Sequence, residues 1–152
     1  MYLTVHAAAG LTLAAYTASP SLAFALGLIS HFVLDFIPHG DEHLAATHFT
    51  RERVMKRLLG AALLDGIVLI IFGLIYIATT PIYNPAPLIA GVAGALAPDV
   101  LLAITMITNA KWLEWYKKFH HSIHNLPGHK LTWVQGMFVQ VMVFIALWLI
   151  LI

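Results

Sequence analysis

SLAFALGLISHFVLDFIPH, residues 21–39, is a hydrocarbon-like run that ends in three metal-capable side chains, His31, Asp35 and His39. Their i, i+4, i+8 spacing places them on one helical face, drifting about 40° per step. The run is long enough for an apolar helix of several turns and is stopped by Pro38. A carboxylate and imidazoles at the edge of such a segment cost several kcal/mol unless a partner offsets their desolvation. A bound cation is one such partner, and a hydrogen-bonded helix end is the other.

Outward from this stretch the rest of the chain has the same character. Of its 152 residues 61% are hydrophobic and 10% are charged, against about 25% charged in soluble domains, and the mean hydropathy is +0.86. The expectation is one all-α domain over residues 1–152, integral to a membrane and built from about five apolar helices. Their expected bounds are Leu3–Thr17, Ser21–Ile37, a third from the charged stretch Arg51–Arg57 to Ala78, Pro87–Thr108 and Leu131–Ile152. Ala18-Ser19-Pro20-Ser21 and Thr80–Pro85 mark the two tight turns. His39–Thr50 and Asn109–Lys130 are polar connectors, the second holding an interfacial amphipathic segment at Trp112–Phe119. Gly91, Gly94 and Ala95 offer a small-residue packing face, and Pro98 is expected to kink the fourth helix. The first helix is short for a span, and with the second it could instead form a re-entrant hairpin. With no basic n-region and His6 in its apolar run, it reads as a structural helix rather than a cleaved signal.

If short-linked helices alternate in direction, all eight Lys and Arg fall on one side: Arg51, Arg53, Lys56, Arg57, Lys111, Lys117, Lys118 and Lys130. The positive-inside rule makes that side cytoplasmic, in the inner membrane. All nine histidines and every acid map to the same side. Polar connectors attract polar residues anyway, but His31, Asp35, Asp65 and Asp99 lie inside apolar runs, where an ionisable group is functional by default. His120 and His124 add a second i, i+4 pair, and His6 lies one turn into the first helix.

The candidate ligands are therefore His6, His31, Asp35, His39, Asp65, Asp99, His120 and His124, with Asp35, Asp65 and Asp99 as candidate catalytic groups. His121 points off the HxxxH face, and His43, His48 and His129 read as solvated. With no cysteine, thiolate ligands, disulfides and iron–sulfur sites are excluded. A mixed His and carboxylate set suits zinc, with iron or manganese behind it, as one or two divalent ions. The expected chemistry is hydrolysis of a phospholipid or related lipid ester at the cytoplasmic interface, with metal-bound hydroxide as nucleophile and an Asp as general base. Arg57, Lys117 and Lys118 read first as positive-inside charge and second as phosphate partners. Expected partners are membrane lipids and a lipid-like substrate, with no nucleic acid. A homo-dimer is compatible with so small a bundle, Gly91 to Ala95 being the one motif to mediate it. Alternatives are a metal transporter or metal-handling protein, a haem-binding electron carrier, and a non-enzymatic assembly factor. The nearly all-apolar outer halves of the helices argue against transport.

The motifs also carry a resemblance. HAAAG at 6–10, SHFVLDFIPH at 30–39, GALAPD at 94–99 and HHSIH at 120–124 resemble, in order, the motifs of small bacterial inner-membrane metal-dependent hydrolases. The LexA-regulated membrane hydrolases are a branch of that group, and its HxxxD helix motif is distantly similar to that of zinc-dependent phospholipase C. The resemblance implies a membrane-embedded metal-dependent hydrolase. The chain departs from it after Asp99, where Val100 and Leu101 follow and PD-x-D branches carry a second Asp.

Overall fold

The computed structural model describes residues 1–40, 50–108, 110–125 and 131–151. Those residues form six helices: α1 (Leu3–Ala14), α2 (Pro20–Asp35), α3 (Arg51–Thr79), α4 (Pro85–Thr108), α5 (Glu114–Asn125) and α6 (Trp133–Leu151). A single 3-10 turn, Lys111–Leu113, leads into α5. The five expected apolar segments are all helical, and the amphipathic segment is a sixth helix. Only α3, α4 and α6 are long and apolar enough to cross a membrane. At 12 and 16 residues, α1 and α2 reach about 18 and 24 Å, short of a hydrocarbon core of about 30 Å. His43, His48, His129 and Lys130 lie outside the described residues.

The local signals explain the ends. Pro20 opens α2, and Ser19 caps it by accepting from the Leu22 amide, while Thr50 caps α3 in the same way through Arg53. α1 ends at Ala14, earlier than Thr17, its last turn tightening into bonds from the Tyr16 amide to Leu13 and from Thr17 to Ala14. Pro98 is accommodated inside one continuous α4.

α1 is the centre of the molecule. Almost every residue from Thr4 to Ala14 is buried, as expected of a helix apolar all round. It packs on α2, α4, α6 and α3. Its tightest contacts are backbone on backbone. A Cβ added at Gly10 would strike the Gly91 carbonyl, one at Gly27 would strike the same carbonyl, and one at Gly94 would strike the Phe24 carbonyl. The Gly91–Ala95 face is thus packed inside the chain, where it joins α4 to α1 and α2. Gly94→Val is expected to cost more than about 3 kcal/mol, beyond ordinary overpacking because rigid backbone is what it meets. Loss of the monodisperse, helical species in detergent is the measurement; a Gly94→Val protein as heat-stable as wild type would refute this packing.

Candidate metal centre

The close crossing of α1, α2 and α4 sets the chemistry. It brings His6 on α1, His31 and Asp35 on α2 and Asp99 on α4 to one point, and α5 adds His120 and His124. His6, His31, Asp35 and His120 are each at most 2% exposed. Asp35 is the hub. Its Oδ1 lies 3.2 Å from His6 Nε2 and 2.6 Å from the Met1 nitrogen. Its Oδ2 lies 3.0 Å from His31 Nε2, 3.1 Å from His124 Nε2 and 3.6 Å from His120 Nε2. Asp99 Oδ1 sits at the rim, 3.6 Å from His120 Nε2 and 3.9 Å from His31 Nε2.

Backbone carbonyls fix which nitrogens face inward. His31 Nδ1 is 2.8 Å from the Ala95 carbonyl and His39 Nδ1 is 2.6 Å from that of Ile37. A carbonyl only accepts, so each Nδ1 carries the proton and a neutral ring turns its bare Nε2 toward the cluster, the arrangement metal-ligating histidines adopt. His31 Nε2 then faces His120 Nε2 at 3.2 Å and Asp35 Oδ2 at 3.0 Å. A single proton bridges only two of these three atoms. Among the described residues four buried polar atoms have no hydrogen-bond partner: both ring nitrogens of His6, Asp35 Oδ2 and His120 Nδ1. Such orphans cost about 1–3 kcal/mol each.

These separations fit an ion. Tetrahedral zinc with bonds of about 2.0–2.2 Å holds neighbouring ligand atoms about 3.3–3.6 Å apart. The His31, Asp35 and His120 edges are 3.0, 3.2 and 3.6 Å, near one face of such a tetrahedron with two edges slightly short. Among the described residues, three sets of ligand atoms can hold a metal: His31 with Asp35 and His120, His6 with His31 and Asp99, and Asp35 with His39 and His124. Asp35 is common to the first and third, so two ions held there would share its carboxylate.

Seven of the eight sequence candidates therefore meet. The exception is Asp65, which belongs to none of these sets. It accepts from the Thr4 hydroxyl at 2.6 Å and lies 3.3 Å from the Thr4 amide. The N-cap residue of α1, Tyr2, makes no side-chain cap bond of its own, so a carboxylate from α3 caps α1 instead. That placement accounts for an intramembrane Asp without metal chemistry. His121 is exposed.

Sequence reasoning missed two positioning groups. Tyr116 donates to the Pro98 carbonyl at 2.7 Å, seating α5 beside Asp99. Burial first, then Asp99 and Asp35, push its phenol above the usual range, so it stays a donor. The signal was Tyr116, His120, His124 at i, i+4, i+8. Gln140 is buried in α6, donates to the His39 carbonyl at 3.0 Å and accepts from the Tyr2 amide at 2.8 Å. Its signal was an amide inside an apolar helix. Gly40, at φ 72°, turns the chain after His39 where a Cβ would meet the Thr132 carbonyl.

No family model, curated protein or solved structure matches the chain. The reading of the site rests on its geometry.

Proposed function

We propose that this protein is a membrane-embedded, metal-dependent hydrolase of a phospholipid or related lipid ester, akin to the inner-membrane hydrolases its motifs resemble. The observation that carries it is the convergence of His31 Nε2, His120 Nε2 and Asp35 Oδ2 at zinc-like spacing, with Asp99 beside them and more open than they are.

His31, His120 and Asp35 would hold the ion, with zinc preferred because three nitrogen and oxygen ligands plus an open position is its catalytic arrangement. A zinc ion there would supply Lewis acidity and make water a stronger acid. The chain does the rest. The Ala95 carbonyl holds the His31 ring in its ligating tautomer. Asp35, 1% exposed, is encircled by nitrogens and serves the ion as a ligand. Asp99, 23% exposed, is the carboxylate placed to take a proton from a nucleophile and return it to a leaving group. Tyr116 keeps α5, and with it His120, against α4. The 3-10 turn and α5 expose Trp112, Trp115 and Phe119, which suits a segment lying at the interface with the cytoplasmic leaflet. A haem carrier fits less well, since bis-histidine ligation needs rings on opposite porphyrin faces and these nitrogens converge on one point.

The test is metal content and turnover together. Detergent-purified protein is expected to carry one or two zinc ions by mass spectrometry and to release a phosphorylated headgroup or a fatty acid from mixed phospholipid vesicles. Chelation should abolish release, and zinc should restore it. Because the ion binds only the folded chain, chelation should also lower stability by about 3–4 kcal/mol when zinc had been present at 100–1,000 times its Kd. Folded protein that takes up no zinc, iron or manganese would end the proposal.

A further inference from the structure

α3 and α6 touch at one end and part at the other. Phe72 on α3 packs edge-on against Phe144 and Trp148 of α6, with ring centroids 5.3 and 5.5 Å apart. Toward their N-terminal ends the two helices diverge and leave a cavity of about 590 Å³ floored by Tyr2, Thr4 and Val5 of α1. Its walls are apolar: Leu64 and Val68 on one side, Met137, Val141 and Phe144 on the other. Gly60 removes a side chain from the α3 wall, and a Cβ there would meet nothing within 4 Å. The floor's polar groups are already engaged, Asp65 with Thr4 and Gln140 with Tyr2 and the His39 carbonyl.

Two features select the occupant. One is depth. From Lys56 to Val68 the groove runs twelve residues along α3, about 18 Å, which matches one leaflet of a hydrocarbon core about 30 Å thick. The other is charge. The groove's mouth carries two adjacent cations, Lys56 and Arg57, with the Trp133 ring across from them on α6. Among the described residues Lys56, three-quarters exposed, pairs with the equally exposed Glu52, a contact worth too little to compete with a phosphate. Trp at that level is an interfacial anchor. An apolar slot one leaflet deep, ended by two cations, is complementary to one lipid chain with a negative headgroup. A second copy of a largely apolar helix would bring no anion to them.

We propose that the groove between α3 and α6 binds one anionic membrane phospholipid, its acyl chain along Leu64, Val68 and Val141 and its phosphate on Lys56 and Arg57. The site needs no metal and stands apart from the hydrolase reading. A lipid seated there backs the segment that runs from Tyr2 into His6, and the Gln140 clip on His39, so it braces the metal cluster at those two histidines.

Native mass spectrometry of the full chain tests this directly. The protein is equilibrated with an equimolar mixture of phosphatidylglycerol and phosphatidylcholine of identical chains. Wild type is expected to retain one phosphatidylglycerol, with at least a tenfold preference over phosphatidylcholine. Lys56→Gln with Arg57→Gln should reduce the preference below twofold while a chain still binds. Gly60→Trp, which projects into the groove and not into the protein, should cut total retained lipid at least fivefold with an unchanged helical circular dichroism spectrum. Equal retention of the two lipids by wild type, an undiminished preference in the double variant, full retention by Gly60→Trp, or a lipid-free dimer each overturn the proposal.

Discussion

Asp35→Ala is expected to empty the metal centre and reduce hydrolysis at least a thousandfold. Among the described residues Asp35 is the one group that approaches His6, His31, His120 and His124 together, all within 3.6 Å. Without it the cluster keeps its imidazoles and loses the anion that balances a divalent charge in a dry setting. Losing a buried partner also destabilises the apo protein, so loss of metal alone does not separate ligand from structural partner. A two-by-two comparison does. If Asp35 is a ligand, zinc stabilises wild type by about 3–4 kcal/mol and leaves the variant unchanged, so the gap between them narrows by that amount on chelation. If Asp35 is only a hydrogen-bond partner, the gap is the same with and without zinc. An Asp35→Ala protein that retains stoichiometric zinc and full turnover would remove the centre described here.

Much of this site was legible because helical spacing and helix direction are both read from the chain. His31 and Asp35 had to share a face, His120 and His124 had to share another, and alternating helices carried both pairs and Asp99 to one end. The small residues at 91, 94 and 95 announced a close crossing, and the backbone contacts of Gly10 and Gly27 with Gly91 supply it. What failed to show was whatever depends on a distant partner without a local pattern. Asp65 has the same surroundings in sequence as a ligand would, an acid among leucines, and only the meeting with Thr4, 61 residues away, turns it into a helix cap. The central place of α1 was hidden for a related reason. Its 3–14 stretch is mostly small or apolar, and its polar residues Thr4, His6 and Thr12 do not line one face, so no polar stripe says which way it turns, and its brevity reads as weakness where it is in fact the buried axis. Hydropathy finds the apolar segments, but does not tell a helix wrapped by protein from one wrapped by lipid. α3 makes the contrast: its apolar surface is largely exposed, and that exposure is what opens the groove beside Lys56.

Asp99→Asn is expected to leave zinc in place and lower turnover by about 10²–10⁴-fold, the usual contribution of a general base. The substitution keeps size and hydrogen-bonding reach but removes the ability to take up a proton at physiological pH. Asp99 Oδ1 lies 3.9 Å from His31 Nε2 where Asp35 lies 3.0 Å away, while both are 3.6 Å from His120 Nε2. It is more exposed than Asp35 by 23% to 1%. Longer separation and greater access are what distinguish a group that works on water and substrate from one that holds the ion. Measured zinc content and vesicle hydrolysis then divide the possibilities cleanly. Zinc retained with turnover lost assigns Asp99 to proton transfer and makes the centre catalytic. Zinc lost with turnover makes Asp99 a ligand through its set with His6 and His31, and the base must be sought elsewhere. Zinc and turnover both retained would leave Asp99 without a role in the reaction, and the general-base mechanism would fall with it.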